Sequence, residues 1–251
     1  MITPNDVDSF AELPADEQAR LRVVGREMVR LAETHAVPIV FGAPAWQRGK
    51  FNSASGCLVK VGARTFVVSA AHVLDAFEAE RRAADQVIWQ VGNFGFDPSG
   101  RVAWQDKKLD IVLFELAQSE IARVGSHALS VPPEWPPPKP QVGQFALVSG
   151  FPLPLRDRTP TGVIRSGAAS AMLPVSAVGN GYAYCQFLRE HLISFGDEPV
   201  PPADLDYGGW SGGPVFLVGD LAYPLVGIVS QFQGTYEILR IALLNSVNLP
   251  A

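Results

Sequence analysis

Tyr207-Gly208-Gly209-Trp210-Ser211-Gly212-Gly213-Pro214-Val215-Phe216 sets one serine among four glycines, ahead of a proline and an apolar run. A serine hydroxyl is almost entirely un-ionised at neutral pH and is therefore a poor nucleophile. It becomes useful when a neighbouring base takes its proton and backbone N–H groups receive the developing oxyanion. Gly209 has no Cβ and is free to turn its N–H toward a substrate carbonyl, beside the N–H of Ser211. Taken alone, a Ser-Gly-Gly reads more simply as a glycine-rich turn between strands. The flanking chain has to supply a base and an acid.

Outward from this stretch, residues 141–251 read as an all-β unit. Residues 144–150 form an apolar strand that ends at Phe151-Pro152, and residues 182–188 alternate as another. After Ser211 the chain runs from Pro214 to Val218, turns at Gly219-Asp220 and returns over residues 223–230. Residues 236–244 close the unit. The stretch before it, 131–140, is proline-rich and stiff, an inter-barrel linker whose second reading is a ligand for a peptide-binding module.

Residues 46–130 read as a first all-β unit. Cys57-Leu58-Val59-Lys60-Val61 turns through Gly62-Ala63-Arg64 into Thr65-Phe66-Val67-Val68, a hairpin rich in β-branched residues. His72 follows at once, entering a short helical turn of small residues that holds it rigidly and projects it into a cleft. Further strands are predicted over 86–91, 101–104 and 109–116. Asp110 opens the last of these, where a carboxylate is partly buried and needs a partner. Singly, His72 reads as a satisfied core histidine and Asp110 as a strand-start carboxylate bonded to nearby backbone.

Residues 1–45 read as a helical extension. Leu21, Val24, Met28, Leu31 and His35 recur every three or four residues with charged residues between, which gives an amphipathic helix with one apolar stripe. Pro14 and Asp16-Glu17 suit its N-terminus. The stripe is expected to dock on the body of the protein; a protein partner bound through the helix is the second reading.

Composition limits the function classes. The 251 residues are 47% hydrophobic and 18% charged, which describes a globular chain. A net charge of −5 with no basic stripe argues against nucleic acid as a partner. No apolar run approaches the ~18 residues of a spanning helix, and the N-terminus lacks a signal-peptide pattern. Cys57 and Cys185 both sit in apolar stretches and are expected as buried free thiols, so a reducing cytoplasm is the expected location. No His/Cys cluster has ligand spacing and no glycine-rich phosphate loop occurs, so no metal and no cofactor are expected. His127 and His191 stand in polar loop contexts and are expected to face solvent.

Ala70-Ala71-His72, Leu109-Asp110-Ile111-Val112-Leu113 and Gly209-Trp210-Ser211-Gly212-Gly213-Pro214, in that order and in β context, resemble the signature segments of the trypsin/chymotrypsin-like serine peptidases. The resemblance spans about residues 50–245 and leaves the N-terminal helix outside. It implies two antiparallel six-stranded Greek-key β-barrels and a serine endopeptidase working on polypeptides through an acyl-enzyme. It also implies roles: Ser211 as nucleophile, His72 as general base and then acid, Asp110 orienting His72, and the N–H groups of Gly209 and Ser211 as the oxyanion hole. Val226-Gly227-Ile228-Val229-Ser230 looks like the family's substrate-lining strand, so Gly208, Ser230 and Gln231 are expected to bind substrate. Leu205, flanked by Asp204 and Asp206, falls at the specificity position and favours an apolar substrate residue.

Two departures stand out. Trp210 replaces the aspartate that, in the secreted digestive enzymes, pairs with a newly cut N-terminus, so no activation by N-terminal insertion is expected. Val73 and Tyr207 stand where disulfide cysteines are usual, as in intracellular bacterial members. Gly209-Trp210-Ser211-Gly212-Gly213 also fits the nucleophile elbow of α/β-hydrolases, but that fold needs a histidine after the serine and His191 is the last. The remaining alternative is a non-catalytic or partner-activated binding module on the same fold, with Trp210 holding the turn collapsed.

Overall fold

The computed structural model describes residues 13–43, 51–132, 135–158, 164–187, 207–219 and 223–247. Helix α1 (Ala15–His35) opens behind Pro14, with Asp16 and Glu17 in its first turn. There their charges favour the positive end of the helix dipole. The line it buries runs through Gly25, Met28 and Ala32, whereas Val24, predicted on the buried stripe, is 44% exposed. Small residues at Gly25 and Ala32 let the helix backbone approach the body closely, and this rotates the buried face. The helical extension predicted over 1–45 stops at His35. Pro38 removes a helical donor, and β-branched Val37, Ile39 and Val40 favour extension, so Ala36–Gly42 forms strand β1 of the first sheet.

The first β unit continues with β2 (Phe51–Val61), β3 (Arg64–Ser69), helix α2 (Ala71–Ala83), β4 (Ile88–Val91), β5 (Phe94–Gly95), β6 (Val102–Asp106), β7 (Ile111–Leu116), helix α3 (Gln118–Val124) and β8 (Leu129–Ser130). The predicted hairpin is β2–β3, in the register Cys57↔Val68 to Val61↔Arg64. The helical turn expected after His72 is a full helix, α2, which buries Ala71, Val73, Leu74 and Phe77 against the sheet. The sheet order is β5-β4-β1-β2-β3-β7-β6, with β8 beside β2. Among the described residues this sheet stays open, where a closed six-stranded barrel was expected. Its end strand β5 has only two residues and is covered by α3 instead of being paired onward.

The second unit holds β9 (Phe145–Gly150), β10 (Arg156–Arg158), β11 (Ile164–Ser166), β12 (Ala169–Gly179), β13 (Tyr182–Gln186), β14 (Pro214–Leu217), β15 (Leu225–Gln233) and β16 (Ile238–Leu243). Six of these close a barrel in the order β12-β13-β16-β15-β14-β9, and β10–β11 form a separate hairpin. The chain leaves β13 and re-enters at β14, three places round the barrel, which is the Greek-key crossover. The described part of the proline-rich stretch is neither helix nor strand, and Trp135 Nε1 donates to the Val247 carbonyl at 3.1 Å.

Two buried clusters form. One lies inside the second barrel, around Val148, Leu173, Phe187, Trp210 and Val229. The other fills the first sheet and runs on without a break through Met28 and Ala32 of α1 to Phe216, Leu225 and Ile228 of the second unit. The two units thus share one apolar seam, capped by α1, which packs on β9, β12 and β14. Across this seam Ser230 of the second unit reaches Asp110 of the first.

Candidate active site

His72 is the second residue of α2, and Asp110 ends the turn between β6 and β7. Asp106 organises that turn by accepting from the N–H groups of Lys108 at 2.8 Å and Leu109 at 2.9 Å. The turn leaves Asp110 at φ 61, a left-handed conformation that aspartate tolerates better than most residues. The Asp110 carboxylate then faces the start of α2. Oδ1 accepts from the His72 backbone N–H at 2.9 Å, and Oδ2 lies 2.9 Å from the ring Nδ1. An ionised carboxylate only accepts, so Nδ1 is the donor of this pair, which leaves Nε2 as the acceptor of the neutral ring.

The second barrel completes this arrangement. Ser230 on β15 donates to Asp110 Oδ2 at 2.6 Å, and the Arg240 Nη2 on β16 donates to Ser230 Oγ at 3.0 Å. Asp110 is 8% exposed. Burial pushes its carboxyl upward, but the hydrogen bonds from the His72 ring, the Ser230 hydroxyl and the His72 N–H outweigh it and hold Asp110 below the ordinary carboxylate range. The His72 side chain, by contrast, is 50% exposed. A charged acid is therefore buried behind a histidine whose far edge reaches solvent.

Ser211 lies in the turn ahead of β14. A Cβ on Gly212, whose φ is 88, would collide with the Ser55 carbonyl and the Ser69 hydroxyl and come within 3.0 Å of the Ala70 nitrogen. The Ser211-Gly212 backbone is thus pressed onto the residues that lead into His72, and only glycine fits there. Among the described residues the Ser211 hydroxyl makes no hydrogen bond, to His72 or to any other group. The N–H groups of Gly209 and Ser211 are likewise without partners among the described residues. Gly209 has φ 102, and a Cβ there would lie 2.6 Å from the Phe151 carbonyl oxygen. Two open donors in one turn beside a half-buried hydroxyl make a site able to receive negative charge.

Trp210 is 1% exposed and stacks edge-on against Tyr207 at 4.8 Å and Phe187 at 6.0 Å. Apolar packing thus surrounds Trp210 on the turn. Of the residues expected to bind substrate, Gly208 and Gln231 are exposed and Leu205 lies outside the described residues. Ser230 is buried, with its hydroxyl committed to Asp110. Past Val229, β15 continues through Gln231, Phe232 and Gln233 in pairing with β16.

These features, an Asp-His pair on an N-terminal β unit and an open-donor serine turn on a closed barrel, coincide with a match of residues 54–228 to the trypsin-like peptidase domain. The chain belongs to that family. Among solved structures, this trypsin-like domain is similar to a serine endoprotease from Yersinia pestis at TM-score 0.52 and 15% identity, over 87% of this chain and 61% of that one. A thermostable serine protease, AL20, from an extremophilic microorganism is similar at TM-score 0.48 and 12% identity, over 84% and 91% of the two chains. No curated protein sequence matches the chain.

The cysteines of this trypsin-like chain are free and buried. Burial pushes the Cys185 thiol up to about 12 and the Cys57 thiol higher still. Among the described residues no group of three His, Cys, Asp or Glu side chains could hold a metal ion, and no helix is long and apolar enough to cross a membrane. His127 is exposed, its carbonyl 2.8 Å from the His35 Nδ1, and His191 lies outside the described residues. Reading the sequence missed Ser55 and Arg240. Neither sits in a recognisable motif: Ser55 acts across the seam on Gly209 and Phe151, and Arg240 acts within the second barrel on Ser230.

Proposed function

We propose that this protein is a serine endopeptidase that cleaves polypeptides through an acyl-enzyme. The reading is carried by one observation: Asp110 and His72 of the first unit are bonded together and tied through Ser230 to the barrel that bears Ser211. A substrate strand lies along β15 at Ser230 and Gln231, with its scissile carbonyl against Ser211. His72 Nε2 takes the hydroxyl proton as Oγ attacks, and the N–H groups of Gly209 and Ser211 receive the oxyanion. His72, now charged beside Asp110, passes the proton to the leaving amine. Water then repeats the attack on the acyl-serine and frees the new carboxylate.

Labelling with a fluorophosphonate tests the reading: reaction at Ser211 is expected, and is lost in His72→Ala. Peptide-library cleavage beside a Ser211→Ala control then gives the residue preference, for which an apolar residue against Leu205 is expected. The unbonded Ser211 hydroxyl favours a second reading, a binding module on the same fold. Tight binding of an unmodified polypeptide with no labelling under any condition would establish that module instead. The apolar burial of both thiols supports a reducing compartment, the cytoplasm, and the exposed face of α1 is the surface for any protein partner.

A further inference from the structure

The oxyanion turn has to stay open without an ion pair at Trp210, so every peptide plane in it needs another restraint. In a trans peptide the C=O and N–H point in opposite directions, so pinning a carbonyl fixes the N–H of the next residue. The Gly208 carbonyl accepts from the Leu153 N–H at 2.7 Å, which aims the Gly209 N–H the other way. The Trp210 carbonyl accepts from the Gly213 N–H at 2.8 Å, which aims the Ser211 N–H outward. Between them lies the Gly209–Trp210 peptide, whose rotation would carry both neighbouring planes with it. Its carbonyl accepts from the Ser55 hydroxyl at 2.7 Å.

Ser55 stands on β2, in the other unit, and is fully buried. Its hydroxyl also accepts from the Phe151 N–H at 2.9 Å, so its proton is directed at Gly209. Its backbone N–H donates to the Ser211 carbonyl at 2.8 Å, and its own carbonyl accepts from the Ser69 hydroxyl at 2.7 Å. The carbonyls of Gly208 to Ser211 are therefore all occupied. Among the described residues, every donor to them is a backbone N–H except the Ser55 hydroxyl.

We infer that Ser55 is a positioning residue that preassembles the oxyanion hole, a neutral clasp from the first unit in place of an activation ion pair. The inference rests on the peptidase reading and adds to it. The turn is then competent once the two units fold together, with no processing step and no activating partner.

Ser55→Ala removes the clasp and leaves the Gly209 carbonyl and the Phe151 N–H buried without partners. Because Ser55 acts through the hole and does not touch substrate, kcat is expected to fall by about 10–100-fold, somewhat less than on deleting a hole donor outright, with KM within about twofold. Affinity for a peptide aldehyde, whose adduct places an oxyanion in the hole, is expected to fall by the same factor. Thr65→Val, a buried polar-to-apolar change at the start of β3, away from the turn, serves as control with kcat unchanged. Where Ser55→Ala fails to fold, Ser55→Cys, which keeps a weak donor, carries the test with an intermediate kcat. Wild-type kcat and aldehyde affinity in a folded Ser55→Ala or Ser55→Cys, even with a lowered melting temperature, would overturn the inference and leave the peptidase reading standing. Absence of hydrolysis and of fluorophosphonate labelling in the wild type would instead overturn the peptidase reading itself.

Discussion

Trp210 is the residue at which this chain departs furthest from an ion-paired oxyanion turn, and its replacement gives a sharp test. The indole is 1% exposed and packs on Tyr207 and Phe187, which themselves contact Phe232. Truncating a buried tryptophan to alanine costs about 3–5 kcal/mol through lost transfer energy and the cavity left behind. Against a total of about 5–15 kcal/mol, that removes a large share of the stability. For a chain of this size it lowers Tm by about 6–20 °C. Trp210→Phe behaves differently. The indole Nε1 is buried and has no hydrogen-bond partner among the described residues, and a buried unmet donor costs about 1–3 kcal/mol. Phenylalanine keeps the edge-on contacts and deletes that donor, so its smaller area is largely offset and the net change is expected within about 1.5 kcal/mol. Urea unfolding followed by tyrosine fluorescence and circular dichroism measures both variants. Trp210→Ala within about 1 kcal/mol of wild type would show that packing does not hold the turn, and the reasoning would fail.

Other consequences follow from the same contacts. In Asp110→Asn the amide nitrogen cannot accept from Nδ1, so the imidazole proton moves to Nε2 and the base is lost; kcat should fall by about 10⁴-fold, the loss known for a Ser-His-Asp triad, and Tm at pH 7 should also fall. Asp110 is also depressed in the folded state. Its contribution to stability is therefore present above the unfolded carboxylate value of about 3.9 and disappears as pH falls through the lower native value, a step that urea titrations should find missing in Asp110→Asn. Glu33 on α1 runs the opposite way: burial raises its carboxyl despite a hydrogen bond from Ser170 at 3.4 Å. Stability is lost as pH climbs from about 4.3 through the raised value, so Glu33→Gln should gain Tm at pH 7 and flatten the profile. Met28→Ala should cost about 2 kcal/mol or more in urea, since α1 covers the seam.

The sequence was most legible where function restricts residue type locally. Gly212 has to be glycine because Ser55, Ser69 and Ala70 crowd it, and His72 has to follow a buried strand because α2 starts there. Such constraints leave short patterns that survive without long-range information. The open first sheet was not legible, because closure depends on whether end strands such as β5 find a partner, and no local pattern encodes that. The buried face of α1 was misread at Val24 for a related reason: periodicity finds an apolar stripe, but Gly25 and Ala32 set how closely the helix can seat.

Ser55 illustrates the limit more sharply. In sequence it is one of three small residues, Ser53-Ala54-Ser55, on a strand that would be read for its apolar face. Its importance comes from pairing with residues 96 and 154 positions away. A clasp of that kind can form only after both units have folded and met, so the shape of the serine turn is a property of the seam and not of its glycines alone. Weakening the seam anywhere near β2 and β9 should therefore loosen the turn before it unfolds either unit. Hydrogen exchange should then report the Phe151 and Leu153 amides, which bond to the clasp and to the turn, opening at lower free energy than β14 and β15, and matched protection of turn and barrel would argue that the turn is held by the barrel alone.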